Sequence, residues 1–246
     1  MFSKKDSVVT VHFIITRPLE NCDILKQRLP QKCVTYLPVI RYEKIKDALQ
    51  IKNAHTYDYI VTSQYAAKMI VTNNFAPQST YYCVGSVTGE ILQNHNYITV
   101  KPKAHNAEAL IALIKNEHRP KKELLYLCGE TIKCPIHLLL ATQSIACKHR
   151  IIYKTIPIQN NWRHILRSKD MKTIVFYSKQ SYDLFIKDVK THHHITDVAV
   201  CHAIWVLPAA SAIKANDYTA NIKWKKISVI NSTDDLIQFI HKETNL

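Results

Sequence analysis

Short apolar, β-branched runs recur along the chain at 8–16, 33–40, 59–61, 81–84, 98–100, 124–127, 150–158, 173–177, 203–207 and 227–230. Between them lie stretches whose apolar positions fall three and four residues apart, the spacing of one helix face. Ten strands alternating with helices read as βαβ units with parallel sheets. Right-handed crossovers then place helices on both faces of each sheet. The pattern therefore predicts an α/β protein with two doubly wound sheets.

Helix starts are marked by capping residues followed by early acids. Asn106 precedes Ala107-Glu108-Ala109-Leu110-Ile111, and Ser232 or Thr233 precedes Asp234-Asp235-Leu236-Ile237. The pattern also repeats along the chain. The stretch 59–63 with its helix 65–70 echoes 174–178 with 182–186, the segment 82–92 parallels 204–213, and 98–114 parallels 227–240. Two similar halves predict two lobes with a cleft. No segment rich in Gly, Ser or Pro separates them. The candidate crossings are two extended runs, 36–42 and 151–158, whose Pro38 and Pro157 suit extended backbone rather than helix.

The composition is globular with a basic bias: 246 residues, 47% apolar, 21% charged, net charge +14. Such a length suits one large or two medium domains, and disorder or a fibre is excluded. No stretch approaches the ~20 apolar residues needed to span a bilayer. Residues 1–7 carry charge but no apolar core before a cleavage site, so a cytoplasmic protein without a membrane partner is expected. Lysine is scattered rather than bunched, a weak nucleic-acid signal. A nucleic-acid binder rests on charge alone, although the basicity does favour an anionic ligand. The seven cysteines form an odd set without C-x-x-C, which reads as buried reduced thiols. Cys128 and Cys134 with the histidine run 192–194 lack zinc spacing, so no metal is expected.

No phosphate-cradling loop, nucleophile elbow or zincin motif is present, so nucleotide, hydrolase and zincin chemistry lacks its residues. What recurs is a strand that ends in small hydroxyl residues and opens a helix: Thr62-Ser63 with Gln64, Gly85-Ser86 with Thr88, and Ser178-Lys179 with Ser181. Such turns present free backbone N–H groups at a positive helix end and bind carboxylate or phosphate. Plain N-capping is the other reading of each. Arg17 at a strand end either faces a cleft or is simply exposed. Tyr153 in mid-strand reads by default as a packing aromatic, and His105 as the neighbour of a cap.

The ordered set Ile15-Thr16-Arg17-Pro18, Leu37-Pro38-Val39-Ile40, Tyr59-Ile60-Val61-Thr62-Ser63, Val84-Gly85 with Thr88, Asn106-Ala107-Glu108, Cys128-Gly129, Ile152-Tyr153-Lys154-Thr155 and Phe176-Tyr177-Ser178 resembles uroporphyrinogen-III synthase. The resemblance covers nearly the whole chain. It implies two flavodoxin-like parallel-sheet lobes, 1–38 with 159–246 and 43–150, joined by a two-strand linker of 39–42 and 151–158, with the active-site cleft between them. The implied activity is cyclisation of the linear tetrapyrrole hydroxymethylbilane, with loss of water and inversion of the last ring (ring D), by a cofactor-free monomer. Its substrate is an octacarboxylate, which suits a basic cleft fringed with N–H-rich turns.

By the same resemblance Thr62, Ser63, Gly85, Thr88 and Ser178 match substrate-binding turn residues, and Tyr153 matches a catalytic tyrosine. A transient contact with the enzyme that supplies the substrate is a further implied partner. Where the family usually has Gly-Pro-Thr-Thr-Ala, this chain has Leu207-Pro208-Ala209-Ala210-Ser211, which weakens one carboxylate-binding turn but leaves its backbone donors. The competing reading is a two-lobed binder of an anionic ligand without chemistry, or a synthase of reduced activity.

Overall fold

A computed structural model describes residues 11–104, 106–117, 122–132, 134–166, 172–192, 201–206 and 224–244. The strands among them are β1 (His12–Ile15), β2 (Val34–Tyr36), β3 (Ile40–Lys44), β4 (Tyr57–Val61), β5 (Thr80–Cys83), β6 (Ile98–Val100), β7 (Glu123–Gly129), β8 (Cys147–Pro157), β9 (Lys172–Phe176), β10 (His202–Val206) and β11 (Lys226–Ile230). The helices are α1 (Asp23–Arg28), α2 (Gln64–Thr72), α3 (Ser86–Gln93), α4 (Ala107–Glu117), α5 (Ile136–Ala141), α6 (Trp162–Leu166), α7 (Lys179–His192) and α8 (Thr233–Glu243). None is long and apolar enough to cross a membrane.

The chain forms two compact units, one from the described residues up to Arg41 and from Pro157 onward, the other from Tyr42–Ile156. In the first, the strand order is β2-β1-β9-β10-β11, every neighbouring pair parallel. In the second, β8-β7-β4-β5-β6 is likewise parallel, with β3 added beside β8. The first order is the flavodoxin-type 2-1-3-4-5. The second is the same spatial arrangement circularly permuted: β4, β5 and β6 occupy the places of β9, β10 and β11, while β7 and β8 occupy those of β1 and β2. This accounts for the three repeated segments in the sequence.

Alternation along each strand divides the side chains between two cores. In the first unit Ile14, Ile174, Phe176, Ala203 and Trp205 enter one cluster, and Phe13, Ile15, Val175, Ile204 and Val206 the other. In the second, Tyr59, Val61, Tyr81, Cys83, Leu125 and Leu127 lie opposite Ile60, Tyr82, Leu124, Tyr126 and Cys128. Both sheets are therefore covered on both faces, as doubly wound sheets must be.

Helix starts follow the expected chemistry. Asn106 Oδ1 accepts from the Ala109 N–H at 2.8 Å, and of the two candidates before α8 it is Ser232 whose Oγ accepts from Asp235 N–H at 3.1 Å. One run departs from expectation: 33–40, read as a single strand, is two. β2 belongs to the five-stranded sheet and β3 to the six-stranded one. Pro38 between them has no N–H to give a ladder and ends the first pairing. His105 lies outside the described residues.

Candidate active site

Ligands of open parallel sheets bind beyond the carboxyl ends of the strands, where the connections reverse direction. In the second unit that point falls between β4 and β7, since the chain runs outward through β5 and β6 and returns to the other side of β4. Thr62 and Ser63 follow β4 directly, and Ser63 caps α2, its Oγ accepting from Ala66 N–H at 3.4 Å. α2 is held by Ala66, Ala67, Met69 and Ile70, which bury one face.

Tyr153 reaches this turn through an irregularity in β8. Cys128 pairs with Ile151 but Gly129 pairs with Tyr153, so Ile152 is an extra residue. Strict alternation would send Tyr153 to the same face as Ile151. With the bulge, Ile151 packs on one side of the sheet while Ile152 and Tyr153 both enter the core on the other. There the Tyr153 hydroxyl donates to Ser63 Oγ at 3.0 Å. The ring is only 8% exposed and stands edge-on to Tyr42 and Tyr65, with centroids 5.3 and 5.0 Å away. Gly129 makes room for it, because a Cβ there would lie 2.6 Å from two of the ring carbons. Burial pushes the phenol above its ordinary value, and the bond to Ser63 offsets only part of this. At neutral pH the group therefore holds its proton.

A second phenol serves the neighbouring hydroxyl from the opposite face. Tyr126 OH and Thr62 Oγ1 lie 3.0 Å apart, and burial pushes the Tyr126 phenol up to about 12. Adjacent hydroxyl residues at one strand end are thus each held by a tyrosine, Thr62 by one on the adjoining β7 and Ser63 by one on β8, the next strand over. The sequence alone does not single out Tyr126, Gly129, Tyr42 or Tyr65 as site residues. The available cue was Gly129, one of three glycines in the chain and placed at the end of a strand run, where a glycine marks a close approach.

Gly85 follows β5, next to β4, and precedes α3 in extended backbone (φ −92°) without a side-chain cap. Ser86 opens the helix, whereas the Thr88 side chain is buried at 3% exposure. In the first unit the corresponding reversal lies between β1 and β9. Arg17 follows β1, and its guanidinium lies 4.6 Å above the Tyr177 ring. Ser178 caps α7, accepting from Ser181 N–H at 3.2 Å, and Lys179 pairs with Asp183 one turn along the same helix. Pro208, Ala209 and Ala210 lie outside the described residues.

No curated protein sequence matches the chain. Among solved structures it resembles a uroporphyrinogen-III synthetase from Helicobacter pylori, at 15% identity over 94% of this chain and 98% of the other, TM-score 0.63. It also resembles a mutant uroporphyrinogen III synthase from the extremely thermophilic bacterium Thermus thermophilus, at 12% identity over 96% and 99%, TM-score 0.56. At these identities the likeness establishes the fold. The sequence model of the family described as uroporphyrinogen-III synthase HemD matches residues 33–204, more than two thirds of the chain. With that match, the chain belongs to the uroporphyrinogen-III synthase family, cyclising hydro-lyases of tetrapyrrole biosynthesis that act without a cofactor.

Proposed function

We propose that the protein converts hydroxymethylbilane to uroporphyrinogen III as a cytoplasmic monomer, with the reacting end of the substrate at the Thr62-Ser63 turn and Tyr153 as the proton source. The observation that carries this reading is the buried phenol aimed at a strand-end hydroxyl where an α/β sheet binds its ligand. Loss of the substrate hydroxyl needs a proton donor, while the electron-rich pyrrole pushes from within and leaves an azafulvenium cation. A neutral phenol suits that task. The substrate carboxylates take backbone N–H groups from the turns Thr62-Ser63-Gln64 and Gly85-Ser86; in the first unit the Ser178-Lys179 turn offers donors of the same kind, with Arg17 beside Tyr177.

Tyr153→Phe tests the assignment because it keeps the ring and removes only the hydroxyl. Turnover falls while affinity for the product uroporphyrinogen stays near wild type. Since the substrate ionises readily by itself, the loss is smaller than the ~10²–10⁴ typical of general acids. A variant that cyclises as fast as wild type makes Tyr153 a packing residue.

A further inference from the structure

Ser63 has a hydrogen-bonding capacity that can be counted. A serine hydroxyl accepts twice and donates once. Its oxygen here accepts from the Tyr153 phenol at 3.0 Å and from the Ala66 N–H at 3.4 Å. Both acceptor positions are filled, and neither neighbour takes the serine's own proton. Ser63 is half-buried, whereas Tyr153 is enclosed by Tyr42, Tyr65 and the backbone at Gly129. A ligand oxygen at the strand end meets the serine first.

We infer that Ser63 is the group that hands the proton to the departing hydroxyl, and that Tyr153 reloads it. The inference rests on the synthase reading and specifies its acid. In the step, the C–O bond of the hydroxymethyl group breaks and the electron pair leaves on oxygen. That oxygen takes the Ser63 proton and departs as water. Ser63 takes the Tyr153 proton along the existing hydrogen bond, leaving a phenolate beside an azafulvenium cation. When ring closure restores the last pyrrole to aromaticity, the proton it expels returns to the phenolate. The sum is one substrate giving one product and one water.

Tyr153 is then a positioning and reloading residue, and Ser63 the residue in contact with the reacting atoms. The bulge in β8 and the glycine opposite it bring the phenol within reach of the serine.

The test separates proton transfer from helix capping. Ser63→Asn keeps an acceptor for the cap and loses the hydroxyl, whereas Ser63→Thr keeps both. In single-turnover cyclisation of hydroxymethylbilane, Ser63→Asn slows formation of uroporphyrinogen III by about 10-fold, below the ~10²–10⁴ typical of general acids because the substrate ionises readily by itself. Ser63→Thr recovers most of that loss. Tyr153→Phe combined with Ser63→Ala is no slower than the slower single variant, because both remove the same step. The rate in mixed H₂O and D₂O bends with deuterium fraction in the wild type, two protons being in flight, and becomes linear in Tyr153→Phe. Wild-type speed in Ser63→Asn, or single losses that multiply in the double variant, overturns the relay and leaves the synthase intact. A wild-type protein that yields no inverted isomer overturns both.

Discussion

Gly129→Ala is the most informative single substitution, because one added methyl group strikes the device that aims Tyr153. The new Cβ would sit 2.6 Å from Cε2 and Cζ of the ring and 2.9 Å from its oxygen. Carbon atoms pack at ~3.5–4.0 Å, so about an ångström must be recovered. The ring cannot swing aside freely, since Tyr42 and Tyr65 stand against it at 5.3 and 5.0 Å. Overpacking of this kind costs ~1–3 kcal/mol, and losing the bond to Ser63 adds ~0.5–1.5 kcal/mol. A destabilisation of about 1.5–4.5 kcal/mol, at ~2–4 °C per kcal/mol for a chain of this size, lowers Tm by roughly 3–18 °C.

Gly89→Ala supplies the comparison. Its Cβ also meets a side chain, but that is the flexible stem of Lys101, and alanine gains up to ~1 kcal/mol over glycine within a helix. Calorimetry with a cyclisation assay decides: Gly129→Ala melts early and turns over slowly, and Gly89→Ala melts at or above the wild-type temperature. Equal melting temperatures and equal turnover for wild type and Gly129→Ala refute the argument that Tyr153 depends on this close approach.

Three other outcomes follow from the geometry. Tyr126→Phe removes the partner of Thr62, so it costs ~0.5–1.5 kcal/mol of stability and weakens product binding in a fluorescence titration; unchanged affinity removes Thr62 from the binding turn. Ser178→Ala deletes the cap of α7, which costs ~0.5–2 kcal/mol, read as an earlier melt, with only a small loss of product affinity because the backbone donors remain. His202, buried beside Lys226 and within 3.0 Å of Ser228 Oγ, has its imidazole pushed down to about 4. The unfolded chain, with histidine near ~6.5, binds the proton first. The His202 contribution is therefore fully present above that value and lost as pH falls toward about 4, and His202→Gln flattens the fall in Tm over this window; an unaltered slope refutes it.

Much of the architecture is legible in the chain because both sheets are buried on both faces, which makes their strands continuous apolar runs. The stretches around Tyr59 and Ile174 repeat because they are the same strand of the same layout. Sequence repetition alone does not reveal that one copy is permuted, since that depends on where β7 and β8 pair. Pro38 marks a break that the apolar run around it conceals. The site is harder to see. Ser63 and Ser178 announce themselves as caps, yet the side on which Tyr153 falls is decided by the extra residue Ile152, and nothing in Arg150-Ile151-Ile152-Tyr153 distinguishes a bulge from regular alternation. Tyr126 is concealed likewise, because a buried aromatic in a strand reads as core until the hydroxyl opposite it is located.

The most direct test of the central claim supplies hydroxymethylbilane to the purified protein and resolves the product isomers after oxidation to porphyrins. The expected product is predominantly the III isomer, formed faster than unassisted closure. Closure without ring inversion gives the symmetrical I isomer, and a product mixture identical to that of the protein-free control contradicts the claim.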